Sequence, residues 1–119
     1  MAVSTNGDAL IISYEGQSIR TLALNSAVAA AQLGEVVAVW LHGLLAEIEA
    51  AEDASDLFSL YGTLAKSTES LVSISFAPGF AATFAVVREN GSMDDHGLPI
   101  WPMVRRLKLV RVETDGSDG

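Results

Sequence analysis

Hydrophobic periodicity changes once along this chain, from a helical repeat to a strand repeat, and that change confines the fold to the α+β class. Between Glu35 and Ala51 the apolar residues Val37, Trp40, Leu41, Leu44, Leu45 and Ile48 recur at helical spacing, whereas from Leu71 the stretch LVSISF alternates apolar residues with serine. A repeat near 3.6 builds one face of a helix, and a repeat of two builds one face of a strand. Ahead of the first run lies Ala-rich Ser26 to Leu33, a strong helix former, cut off by Gly34. Glu47, Glu49 and Glu52 leave the apolar face, and Asp53-Ala54-Ser55-Asp56 reads as a loop or a fresh N-cap before Leu57.

The rest of the chain is read from its turn residues. Ala9 to Tyr14 is a short β-prone run ending at Glu15-Gly16, and Gln17 to Asn25 leads into the helices. A turn at Ala77-Pro78-Gly79 joins LVSISF to a second strand, Phe80 to Val87. Arg88 to Pro99 is a polar loop, and Ile100 to Val112 returns as a third strand whose first residues Pro102 restricts to an edge or bulge. The expected architecture is an N-terminal strand, a two-helix hairpin and a three-stranded antiparallel sheet. It forms one domain over residues 9–113, between a flexible N-terminus, 1–8, and a disordered acidic tail, 114–119.

Composition narrows the function classes. A length of 119 residues suits one small core, and 50% apolar residues supply ample material for it. The longest apolar-dominated run, Val36 to Leu45, falls far short of the roughly 20 residues a membrane span needs. The N-terminus lacks the pattern of a secretory signal, so a cytoplasmic protein without membrane partners is expected. Absence of cysteine excludes disulfides and thiolate metal sites. Net charge is −8, from 15 acidic against 7 basic residues, which disfavours RNA, DNA or the ribosome as partner. Arg105, Arg106, Lys108 and Arg111 nevertheless form a local basic cluster. Strand alternation would put Arg105 and Arg111 on one side and Arg106 and Lys108 on the other.

Candidate chemistry is sparse. His42, on a largely apolar helix, reads as a packed, hydrogen-bonded residue rather than a catalyst. His96 beside Asp94 and Asp95 reads as a solvated loop, and no metal or cofactor is expected. The stronger signal is apolar. Val36, Val37, Val39, Trp40, Leu41, Leu44, Leu45 and Ile48 exceed one helical stripe, so a second layer of this protein or another protein covers the extra face. Trp40, Val37 and Leu44 are the interface residues this implies, with Trp40 as anchor.

Leu24-Asn25, Gly34, Leu41, Leu45, the run Glu47-Ile48-Glu49-Ala50-Ala51-Glu52 and Asp56-Leu57 follow in an order that resembles the RelE/ParE toxin superfamily, in its HigB-like plasmid-maintenance killer branch. Pro78 at the hairpin turn and Gly97, Trp101 and Val104 ahead of the last strand extend the likeness across Ala9 to Glu113. The resemblance implies a RelE-like fold and, for active members, ribosome-dependent cleavage of messenger RNA. It also implies a basic residue after the helices, an arginine at the central hairpin and a Tyr-His or similar pair at the C-terminus. Here Lys66 lies near the first position in a shifted register. Ala81 or Ala82 stands at the second, and Thr114, Asp115 and Gly116 occupy the last. Alanine in place of arginine forfeits a charge-assisted grip on phosphate.

The expected function is therefore that of a divergent toxin-fold protein without nuclease activity, acting by binding an antitoxin-like chain, a second copy of itself or a host protein. The alternative is an active mRNA endonuclease of a type II toxin–antitoxin system, with Lys66, Arg88, Arg105 and Arg106 on phosphate and His96 or Glu69 as base. A ParE-like inhibitor of a DNA-handling enzyme and an unrelated small adaptor are the remaining readings.

Overall fold

The computed structural model of the chain, which describes residues 10–89 and 91–114 apart from the side chain of Thr114, confirms the α+β class and enlarges both layers. Four helices form, α1 (Gly16–Leu24), α2 (Ser26–Leu33), α3 (Glu35–Ala50) and α4 (Ser55–Tyr61). Five strands form, β1 (Ile11–Tyr14), β2 (Ala65–Thr68), β3 (Leu71–Ala77), β4 (Phe80–Val86) and β5 (Arg106–Thr114). The expected 1–8 N-terminus and residues 115–119 of the expected tail lie outside the described residues.

The expected two-helix hairpin holds at its centre and is extended at both ends. Asn25 caps α2, its side chain accepting from Val28 N at 3.0 Å, which satisfies one orphan amide of the first turn. Gly34 ends α2 and starts α3 with φ 91° and ψ 153°, a region essentially closed to residues with a Cβ. No atom stands within 4 Å of a Cβ added there, so the requirement is one of backbone conformation. Gly34→Ala should therefore lower stability by about 1–3 kcal/mol. Urea titration checks this, and a loss below about 0.5 kcal/mol would mean that the α2–α3 joint relaxes freely. The two added helices follow local signals. In α1, Leu22 and Ala23 are buried and Ile19 packs against the core. Ahead of α4, Asp53 Oδ1 accepts from Ser55 N at 2.9 Å and Asp56 Oδ2 from Glu52 N at 3.0 Å.

The expected three-stranded antiparallel sheet is a five-stranded mixed one, in the order β1-β5-β4-β3-β2. β2 to β5 pair antiparallel, and β1 joins the far edge parallel to β5. Polar β2, Ala-Lys-Ser-Thr, has no hydrophobic alternation and owes its strand form to pairing with β3. The strand expected from Ile100 starts later, because Pro102 sits in a 3-10 turn, Trp101–Met103, and β5 runs on to Thr114, where the tail was expected. Between β3 and β4, Gly79 takes φ 79°, as a type II turn after Pro78 requires.

One face of the sheet carries the core. Val72, Ile74, Ala82, Phe84, Leu107 and Leu109 are buried there with Leu41, Leu44, Leu45 and Ile48 of α3. The register between β4 and β5 shifts at Thr83/Phe84, so that Thr83 faces Arg111 and Phe84 faces Leu109, leaving Val110 as the extra residue of a bulge. That bulge corrects the expected split of basic residues: Arg111 joins Lys108 and Arg106 on the outer face, the one opposite the core.

Candidate functional site

The basic cluster on the outer face is neutralised by carboxylates. Arg106 Nε lies 2.8 Å from Glu89 Oε2, Lys108 Nζ 3.2 Å from Glu15 Oε1, and Arg111 Nε 3.2 Å from Glu113 Oε2. All three pairs are solvent-exposed and contribute little to stability, but each places a negative charge where phosphate would need to sit. Lys66 opposes Ser73, which opposes Thr83, which opposes Arg111. Lys66 is therefore three strands from Arg111, about 14 Å by ordinary strand spacing. Arg88 is exposed after β4, half-buried Arg105 precedes β5, and Glu69 sits in the β2–β3 turn with φ 52°. At the hairpin, Ala82 is fully buried and Ala81 nearly so. Of the expected phosphate contacts, Arg88, Arg105 and Arg106 thus gather where β4 ends and β5 begins, Val87 N donating to the carbonyl oxygen of Arg106 at 3.1 Å, whereas Lys66 lies apart on the edge strand β2.

The two histidines have ordinary surroundings. His42 Nε2 is 3.2 Å from the carbonyl oxygen of Leu22, tying α3 to α1. In the loop, Asp94 Oδ1 accepts from His96 N at 2.8 Å and Leu98 N at 2.9 Å, so this carboxylate closes an Asx turn. Among the described residues no group of three or more His, Cys, Asp or Glu side chains is placed to hold a metal ion.

A different feature arises on α3. Its core side is formed by Ala38, Leu41, Leu44, Leu45 and Ile48. Its other side exposes Val36 at 61%, Val39 at 67% and Trp40 at 44%. Of the interface residues expected from sequence, Trp40 is exposed, Val37 is half-buried, and Leu44 belongs to the core, 3% exposed, reaching the surface as the floor of a groove. That groove has a cavity of about 480 Å³ lined by Val39, Trp40, Gly43, Leu44, Glu47, Tyr61, Leu64, Ser75 and Phe76. Further hollows continue it along α3, toward Glu35 and Val36 at one end and toward Ala50, Asp56 and Leu60 at the other.

The sheet-side wall exists because β2 pairs with β3 only as far as Ile74. Beyond that point Ser75, Phe76 and Ala77 face Trp40 and Leu64 across a cavity of about 440 Å³. A register shift between Ser75 and Ala77 makes Phe76 the extra residue of β3, and its ring meets Phe80 at 6.5 Å between centroids. Sequence reading missed Leu64, Phe76 and Tyr61. Phe76 closes the alternating run and so carried a partial signal, whereas Leu64 and Tyr61 belong to a segment without periodicity.

Tyr61 ties the middle of the groove together, its hydroxyl donating to Glu47 Oε1. Burial, then this hydrogen bond, then the charge of Glu47 push its phenol well above the ordinary range. A folded-state pKa above the unfolded value adds stability that is present below about pH 10 and lost as pH rises through the folded pKa. The melting temperature should thus fall more steeply above pH 10 in the wild type than in Tyr61→Phe, and equal slopes in the two proteins would refute the assigned hydrogen bond.

Charge completes the site. Between Arg20 and Lys66 the chain carries Glu35, Glu47, Glu49, Glu52, Asp53 and Asp56 and no Lys or Arg. Glu35, Glu47 and Asp56 line the groove and its continuations. No described helix is long and apolar enough to cross a membrane. Fold and site together define an α+β protein with helices over a five-stranded mixed sheet and an apolar, acid-rimmed groove beside α3. No family model matches this chain, and no curated protein or solved structure matches it either.

Proposed function

We propose that this protein is a binding module whose groove beside α3 takes a cationic, apolar segment of a partner protein. The observation that carries the reading is the double burial demand of α3. The helix already seats one apolar side in the core, yet Val36, Val39 and Trp40 remain exposed beside a groove whose floor is Leu44. The acidic rim, with Glu35, Glu47 and Asp56 lining the groove and its continuations, selects positive charge in the occupant. It also disfavours a second copy meeting the first through the same helix.

The resemblance to the HigB-like killers points the same way, since the residues it assigns to RNA cleavage are absent or displaced. An antitoxin-like chain or a host protein bearing a basic apolar segment is the partner class this reading favours. Purified protein added to translating ribosomes should leave the message uncut in primer extension. Cuts at A-site codons would replace the binding reading with the nuclease one. Binding itself is tested with a synthetic Leu/Lys peptide, as charged as the rim requires. Its affinity should fall as salt shortens the screening length from about 10 Å at 0.1 M to about 3 Å at 1 M.

A further inference from the structure

The middle of α3 holds a glycine that nothing among the described residues requires. Gly43 is exposed and a Cβ added to it would meet nothing within 4 Å. Its φ is not in the left-handed region, where the chain's other structurally required glycines lie. Alanine would therefore fit the same backbone and favour the helix more, because glycine is the poorest helix former after proline. A glycine at a helix surface without internal need suits close approach by another backbone.

The neighbours of Gly43 indicate what approaches. Val36, Trp40, Gly43, Glu47 and Ala50 are all exposed and succeed one another at steps of four, three, four and three residues. That spacing draws one line along a helix and is the spacing by which one helix meets another. The line covers most of α3, a helix of about 24 Å at the usual rise. It is widest at Trp40 and empty at Gly43, so side chains of a second helix have a knob to pack around and a gap to enter.

We propose that this line is the docking seam for a cationic amphipathic helix of another protein, whose axis crosses α3 at Gly43. The proposal rests on the groove reading above and adds the conformation and the crossing point of the occupant. A second copy of this chain is the wrong occupant, because each copy carries a net charge of −8 and the two would repel. An extended segment lying along Ser75 to Ala77 is the competing geometry, and the test separates it.

Two synthetic peptides of identical Leu/Lys composition and about 18 residues are compared by titration calorimetry, one with leucines at helical spacing and one with strict alternation. The helical-period peptide should bind about tenfold more tightly than the alternating one. Gly43→Ala should raise the melting temperature of the free protein and weaken the helical-period peptide about fivefold, and Gly43→Leu should weaken it further. Equal affinity of the two peptides, or unchanged affinity in Gly43→Ala, overturns the helix crossing while the groove reading stands. Affinity for both peptides that survives Trp40→Ala, or no binding by either, overturns the groove reading and this inference with it.

Discussion

Phe84→Ala is expected to remove about 3–5 kcal/mol of stability, the largest loss of any single truncation in this protein. Phe84 is the largest of the fully buried side chains and lies on a central strand of the sheet. Its cross-strand neighbours, Val72 on β3 and Leu109 on β5, are also fully buried, so no side of the ring opens to water. The adjacent bulge at Thr83/Phe84 sets which residues of β5 face inward, and the ring beside it holds that register. Truncation leaves a cavity that a close-packed sheet cannot fill by small shifts. For a domain stable by 5–15 kcal/mol, the variant would be marginal, with a melting temperature lower by at least about 12 °C. Thermal and urea unfolding check the value, and a loss below about 1.5 kcal/mol would show that the sheet repacks around the gap. Phe84→Leu, which keeps most of the volume, should cost far less.

Trp40→Ala is expected to act on binding and to leave the fold nearly intact. Trp40 is 44% exposed and stands on the rim of the groove rather than in the core cluster. Removing it should change unfolding free energy by about 1 kcal/mol or less. Affinity for a Leu/Lys peptide should fall by about tenfold or more, since an aromatic anchor beside a pocket carries a disproportionate share of interface energy. The comparison with Leu44→Ala is informative, because Leu44 shares the groove but is 3% exposed. That variant should lose about 2–5 kcal/mol of stability as well as binding. If Trp40→Ala destabilises the protein as severely as Leu44→Ala, the indole belongs to the fold and the docking site is not centred there.

Parts of this architecture were open to reading because they rest on local chemistry. Gly34 separates two helices because its conformation excludes a Cβ, and that constraint is visible in one residue type. Asp53-Ala54-Ser55-Asp56 reads as a loop or an N-cap, and α4 begins within it at Ser55. α1 had its own signal in Ile19, Leu22 and Ala23, a helical spacing in a segment too short and polar to stand out. β2 had none, since a polar edge strand is defined by its neighbour. Among candidate sites, Trp40 was legible as surplus apolar surface. Leu44 was misplaced because surplus on a helix does not say which residues face inward. Arg111 was placed on the wrong side because one bulged residue, Val110, reverses every later side chain of β5, whereas Arg106 and Lys108 share a side as expected.

Sequence alone settled the α+β class, the break at Gly34, the excess of apolar surface on α3 and the acidic balance. These depend on periodicity, backbone sterics and charge, which act within a few residues or by simple sum. Only the tertiary structure decided the parallel pairing of β1 with β5, the side of the sheet on which each basic residue lies, and the wall of the groove. Each of these depends on contacts between residues far apart in the chain, whose register no local spacing specifies. The groove itself is a product of where β2 stops, at the partner of Ile74, leaving Phe76 to face Trp40 across open space.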